Sequence, residues 1–200
     1  LHTECDATFE AACSAYNLGA SLSSLSLHQN LDQRMASLQQ AAGAIAAVAD
    51  LVAASDWLGR ATADLRQDAL SSFTAVLLAQ AQRCVYEKAL ERGLTPSSME
   101  AIAAEASALY ADAHKAVKTA IGDKDASLRD PLAAEWCKVP ECLSLLFEAL
   151  AHSHAAQVHA NNLEYGKQVA RLAHAVKQVE AAQKKAPPHV QDYMETHKVS

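Results

Sequence analysis

Between Met35 and Val52 the apolar residues Met35, Leu38, Ala42, Ile45, Val48 and Val52 recur every three or four positions. That is the spacing of one face of an α-helix, and it sets the terms for the whole chain. The same rhythm returns in several other segments, with alanine as its commonest member. Alanine has the highest helix propensity, and its small side chain lets helices approach closely. Half the residues are hydrophobic but only 5% are aromatic, with six Gly, five Pro and almost no β-branched runs. The expectation is all-α, in a chain of 200 residues, enough to bury a sizeable core as one domain.

The punctuation of the sequence divides that expectation into six long helices. The first runs from about Cys5 to His28, with Phe9, Ala12, Cys13, Tyr16, Ala20, Leu22 and Leu27 at approximately helical spacing. Asn30 ends it, and Asp32 is the expected N-cap of a second helix through Ala54. SDWLGRAT (55–62) is a polar break. A third helix spans about Ala63 to Arg92, closed by Gly93, and Pro96 opens a fourth that reaches about Ala120. GDKDASLRDP reads as a charged loop, and Pro140 is expected to begin a fifth helix lasting to about Asn161 or Asn162. A sixth covers about Glu164 to Lys185, where Pro187 and Pro188 stop it. No fixed repeat is visible, and these helices are too long for a regular array of about 34 residues per unit.

Several chemistries find no support. The net charge of −6 opposes nucleic-acid binding, and the basic groups Lys167/Arg171/Lys177 and Lys184–Lys185 read as solvated helix faces. No segment has the roughly 18 uninterrupted apolar residues of a membrane-spanning helix, and no signal peptide is recognisable. The five cysteines, Cys5, Cys13, Cys84, Cys137 and Cys142, are an odd number scattered along helices, as in a reduced, cytosolic protein. Cys137 and Cys142 lack metal-binding spacing. On a helix His152 and His159 share a face while His154 points roughly 200° away, and no carboxylate or thiol follows four residues later. No metal, cofactor or catalytic residue is assigned, and an enzyme is not expected.

Four motifs then carry a resemblance. LLAQAQRCVYEKAL (77–90) is similar to the signature helix of the Bro-one domain family, whose run reads approximately LAQAQE followed by apolar or aromatic positions and Lys-Ala. IAAEASALYADAHK (102–115) resembles the family's next helix, and YGKQVARLAHAVK (165–177) its G-E-E-[IV]-A-R-L motif, with Lys167 and Gln168 where acidic residues are usual. FEAACSAYNLGASLSSL (9–25) fits the asparagine-containing helix of the family through Phe9, Tyr16, Asn17 and Leu18. The stretch GDKDASLRDPLAAEWCK departs from the pattern as an insert.

The resemblance implies an elongated, boomerang-shaped domain built on tetratricopeptide-like helical hairpins. Residues 1–200 are then expected to be the central part of one such domain, with its first and last portions outside them. It also implies a scaffold that binds the C-terminal amphipathic helix of an ESCRT-III subunit of the charged multivesicular body protein type. Such a protein is cytoplasmic and recruited to endosomes, with peripheral membrane association. Carried across without gaps, the family's binding patch falls on Val85, Ser98 and Ile102. Ser98 breaks the apolar pattern, so Met99 is the candidate replacement, although Met99 and Ile102 also belong to an ordinary core stripe with Ala106, Leu109 and Ala113. Tyr86 either joins the patch or covers the core, and Arg171 either lies on a helix face or pairs with Glu164 or a neighbouring hairpin. The alternative function is a structural helical module that supports a neighbouring domain without binding a peptide. Within the signature run Gln80 and Gln82 lie roughly 200° apart, so Gln80 sides with Leu77 and Cys84, and Gln82 with Leu78, Val85 and Tyr86.

Overall fold

The structure, a computed structural model, describes residues 7–55, 62–122, 131–187 and 190, with the side chains of 131–135 outside that set. Six α-helices carry the described chain: α1 (Ala7–Ser26), α2 (Leu31–Ala53), α3 (Gln67–Glu91), α4 (Pro96–Ile121), α5 (Pro131–Asn161) and α6 (Tyr165–Lys185). Ala63–Leu65 adds one short 3-10 turn ahead of α3, and no strand occurs among the described residues. Each helix packs on the one before it and the one after it, as expected of antiparallel hairpins laid side by side.

Two cores result. Leu38, Ile45, Val48 and Val52 of α2 meet Ala12 of α1 and Leu70, Leu77, Ala81 and Cys84 of α3 in the first. Tyr86 and Ala89 of α3, Met99 and Tyr110 of α4, and Leu146 and Phe147 of α5 form the second, which Ala182 of α6 closes. The aromatic rings of this second core touch in sequence, with Tyr110 stacked on Phe147 at 5.7 Å and Tyr86 edge-on to Phe147 at 5.3 Å. Gly19 is needed where α1 crosses α2, because a Cβ there would stand 2.9 Å from the Ile45 side chain. Between α4 and α5 the small residues exchange bonds, Ser107 Oγ donating to the Ser144 carbonyl (2.9 Å) and Ser144 Oγ to the Ser107 carbonyl (3.1 Å). Helix α2 is long and apolar enough for a membrane span by composition. Its apolar stripe is instead the centre of the first core.

Three boundaries differ from the sequence expectation. The N-cap of α2 is Asn30, whose side chain accepts from the Gln33 amide (3.0 Å), while Asp32 sits in the first turn and pairs with Lys88 of α3. The third helix starts later than expected, because Arg66 is extended and separates the short turn from α3. Pro140 does not begin α5 but lies inside it. A proline there has no N–H to offer the carbonyl four residues back, that of Trp136, and its ring is buried. The break SDWLGRAT and the loop GDKDASLRDP fall largely outside the described residues.

Helices α3 and α5 end in the same hydrogen-bond pattern but with different residues. After α3, Gly93 is left-handed (φ 63°), its amide bonds to Leu90 and that of Leu94 to Ala89. After α5, Leu163 takes the left-handed position (φ 60°), with its amide on Ala160 and that of Glu164 on His159. A leucine there carries roughly 1–2 kcal/mol of Cβ strain. Leu163 is 71% exposed and so returns little by burial. Leu163→Gly is expected to stabilise the fold by about 1 kcal/mol in denaturant titration, whereas Leu163→Ala, which keeps the Cβ, should give no such gain.

Candidate partner-binding site

Helices α3 and α4 form a hairpin whose turn is Arg92 to Thr95. Thr95 caps α4 by accepting from the Ser98 amide (3.4 Å), and its hydroxyl also meets that of Ser98 (3.0 Å). Ser98 is therefore exposed and engaged in the cap, a polar post at the mouth of the hairpin. Antiparallel register places Val85, six residues before the end of α3, level with Ile102, six residues after the start of α4. The Gln82 amide reaches the Ile102 carbonyl at 3.5 Å, tying the two helices at this height. Val85 and Ile102 are both half-buried.

The same register extends one heptad further from the turn. Leu78 lies seven residues before Val85 and is 41% exposed, and Leu109 lies seven after Ile102 and is half-buried. Seven residues are close to two helical turns, so Leu78 repeats Val85 and Leu109 repeats Ile102 on the same faces. Val85, Ile102, Leu78 and Leu109 thus make an apolar seam along the hairpin. The sequence marked only its end near the turn. Leu78 was read on the Val85 side, but nothing in the pattern distinguished Leu109 from core.

Met99 and Tyr86 do not belong to that surface. Each is 3% exposed, inside the second core. Met99 precedes Ile102 by almost a full turn, and the roughly 60° difference in direction is enough to turn it inward. The Tyr86 hydroxyl meets His154 Nε2 of α5 at 3.0 Å. Burial pushes the Tyr86 phenol up to about 12 and the His154 imidazole below its ordinary value, so the two groups meet uncharged. On the far side of α3, Gln80 is half-buried and lines an apolar cavity of about 430 Å³ with Tyr16, Phe73 and Trp136. The two glutamines do occupy different sides of the helix.

The groups considered for chemistry are dispersed. His154 turns to Tyr86, His159 Nδ1 donates to Glu164 (2.7 Å), and His152 faces α6, so the three histidines do not converge. Arg171 approaches His152 Nδ1 (3.0 Å), not Glu164, which is taken by His159 and Lys167. The four described cysteines are free, and burial, the leading cause in each, raises every one of their thiols, Cys142 to about 11. None is an activated thiolate.

Comparison with known proteins places this hairpin stack in a family. The sequence model of the BRO1-like domain matches residues 1–200. Apoptosis-linked gene 2-interacting protein X 1 of Caenorhabditis elegans is 30% identical over 192 residues, covering 91% of this chain and 20% of that protein. The pH-response regulator protein palA/RIM20 of Emericella nidulans is 31% identical over 186 residues, covering 89% of this chain and 20% of that protein. A solved complex of the ALIX BRO1 domain with CHMP4C superposes with a TM-score of 0.77 at 22% identity, covering 94% of this chain and 52% of that one. The chain belongs to the BRO1-like domain family. It spans about a fifth of the length of these curated relatives.

Two outcomes follow from the burial pattern. Met99→Ala should cost about 2–5 kcal/mol in denaturant unfolding, as a cavity in the second core, rather than act on a surface. His154 is neutral in the fold while an unfolded chain would protonate it near 6.5. The unfolded state then binds more protons as pH falls below that value, so this contribution is present above 6.5 and is lost on acidification. Melting temperature should drop between about pH 7.5 and about pH 5.5, and His154→Gln should make that drop shallower.

Proposed function

We propose that the α3–α4 seam receives the C-terminal amphipathic helix of an ESCRT-III subunit of the charged multivesicular body protein type. The observation that carries the reading is the half-buried pair Val85 and Ile102, level with each other on adjacent antiparallel helices. An amphipathic helix presents anchors at i, i+3/i+4 and i+7, and a seam that repeats its apolar positions seven residues apart matches that spacing. Leu78 and Leu109 lengthen the contact away from the hairpin turn, and Ser98 borders it at the turn. A solved relative of the same fold is recorded with CHMP4C, which supports the choice of partner class. Residues 1–200 act as the central part of a single domain in a cytoplasmic scaffold recruited to endosomes, without catalysis of its own.

A second reading has its own support. Tyr165, Val169, Leu172 and Val176 form an exposed stripe at helical spacing along α6, and Val169 is 65% exposed. Such a face suits a structural module that packs on a neighbouring domain or segment. One reading uses the middle of the hairpin stack and the other its last helix, so they separate cleanly. In the protein at its natural length, Ile102→Asp is expected to weaken binding of an ESCRT-III C-terminal helix at least tenfold with far-UV circular dichroism unchanged. Val169→Asp should leave that binding intact. Peptide affinity that survives Ile102→Asp overturns the seam assignment.

A further inference from the structure

Helices α5 and α6 bring together three side chains that the peptide-binding reading does not use. Glu148 and His152 stand four residues apart on one face of α5, and His174 faces them from α6. The carboxylate lies four residues before His152 and the second imidazole on another helix, so the spacing after each histidine does not reveal the group. Glu148 Oε1 is 3.2 Å from His174 Nε2 and 4.0 Å from His152 Nε2. The two imidazole rings meet edge-on with centroids 4.3 Å apart. One ligand atom from each of the three residues lies within 4.8 Å of the other two.

We propose that Glu148, His152 and His174 form a three-ligand site for a divalent transition cation of the zinc class, clipping α6 to α5. Tetrahedral zinc with nitrogen and oxygen ligands at roughly 2.0–2.2 Å holds those atoms about 3.3 Å apart. The Glu148–His174 pair already has that separation. His152 Nε2, at 4.0 Å from Glu148 Oε1, has to close by roughly 0.7 Å toward that oxygen, within reach of a side-chain adjustment. Two imidazoles with one carboxylate favour a borderline cation over calcium or magnesium, which take oxygen ligands. A cavity of about 400 Å³ lined by His152, Arg171 and His174 leaves room for water in the fourth position. Gln178 Nε2, which only donates, bridges the two prospective ligand atoms, at 2.9 Å from Glu148 Oε1 and 3.2 Å from His174 Nε2, and turns aside when the cation takes their lone pairs.

Arg171 works against the cation. Its Nη1 lies 3.0 Å from His152 Nδ1, and a guanidinium only donates, so Nδ1 accepts and Nε2 carries the proton. Ligation through Nε2 requires the other tautomer. Water takes the Nε2 proton and supplies one to Nδ1, with no net proton change, and Arg171 swings into the cavity. The remaining cation on that wall, Lys167, is already paired with Glu164 (2.6 Å).

The test is chelator competition with zinc and absorption spectroscopy with cobalt(II), on the protein at its natural length and four variants. Glu148→Gln, His152→Ala and His174→Ala should each weaken one zinc equivalent at least tenfold, and Arg171→Ala should tighten it several-fold. His174 lies at the surface, its side chain 44% exposed, so its variant tests ligation without a core defect. Cobalt bound at this site should show weak visible bands and no thiolate charge-transfer band. That separates it from Cys137, whose Sγ lies 3.8 Å from His114 Nδ1. Zinc affinity unchanged in His174→Ala, weakened in Arg171→Ala, or accompanied by a thiolate band overturns the proposal.

Discussion

Helix α3 is buried from two directions, and the rest of the structure is arranged around that fact. Leu70, Leu77, Ala81 and Cys84 face the first core, while Ala79, Tyr86 and Ala89 face the second. Alanines at both contacts keep the neighbouring helices close, and dense packing on each side leaves little freedom to rotate α3. The faces left over are narrow strips between the two cores. One carries Gln80 into the cavity beside Phe73, and the other carries Leu78, Gln82 and Val85 to the seam with α4. The seam is thus a product of where α3 stops being core.

That origin explains why the candidate site mixes apolar and polar groups. A strip beside a core is half-buried, so Val85, Ile102 and Leu109 support packing beneath them while offering an edge to a partner. Polar side chains fix the backbone around it, Gln82 across the two helices and Thr95 with Ser98 at the turn. The second core stabilises the strip from below through the Tyr86, Phe147 and Tyr110 rings, and the Tyr86–His154 bond ties α3 to α5 behind it. Beyond the apolar contact of Ala182 and Val179 with the second core, α5 and α6 also share several polar contacts. Glu148 meets His174 and Gln178, Glu141 meets Lys185, and Glu164 meets His159 and Lys167. Electrostatics at that hairpin depend on pH and on ions in a way the alanine-rich hairpins do not.

Much of this was legible in the chain, and the gaps have physical causes. Helix α2 was readable because its apolar spacing is long and unbroken, and α4 because Pro96 and Gly93 bracket its start. Pro140 misled because a proline usually opens a helix, yet a buried ring inside a long, well-packed helix can be tolerated at the loss of one hydrogen bond. Asp32 looked like a cap, but Asn30 holds the extended backbone that a cap requires. Met99 and Ile102 are equally apolar in sequence. Only the roughly 60° between them, set against α5, makes one core and the other edge.

The sequence by itself determined six helices and most of their ends, because those depend on local propensity and on spacing along a single helix, while the family came from the likeness of its motifs. The resemblance also put forward Val85 and Ile102 as candidates. Tertiary structure decided which side of each helix is left at the surface, since burial is a property of neighbours and not of periodicity. It extended the seam to Leu78 and Leu109 and withdrew Met99 and Tyr86 into the core. It also placed His174 against Glu148 and His152. Residues on separate helices meet only when the packing between those helices fixes their register.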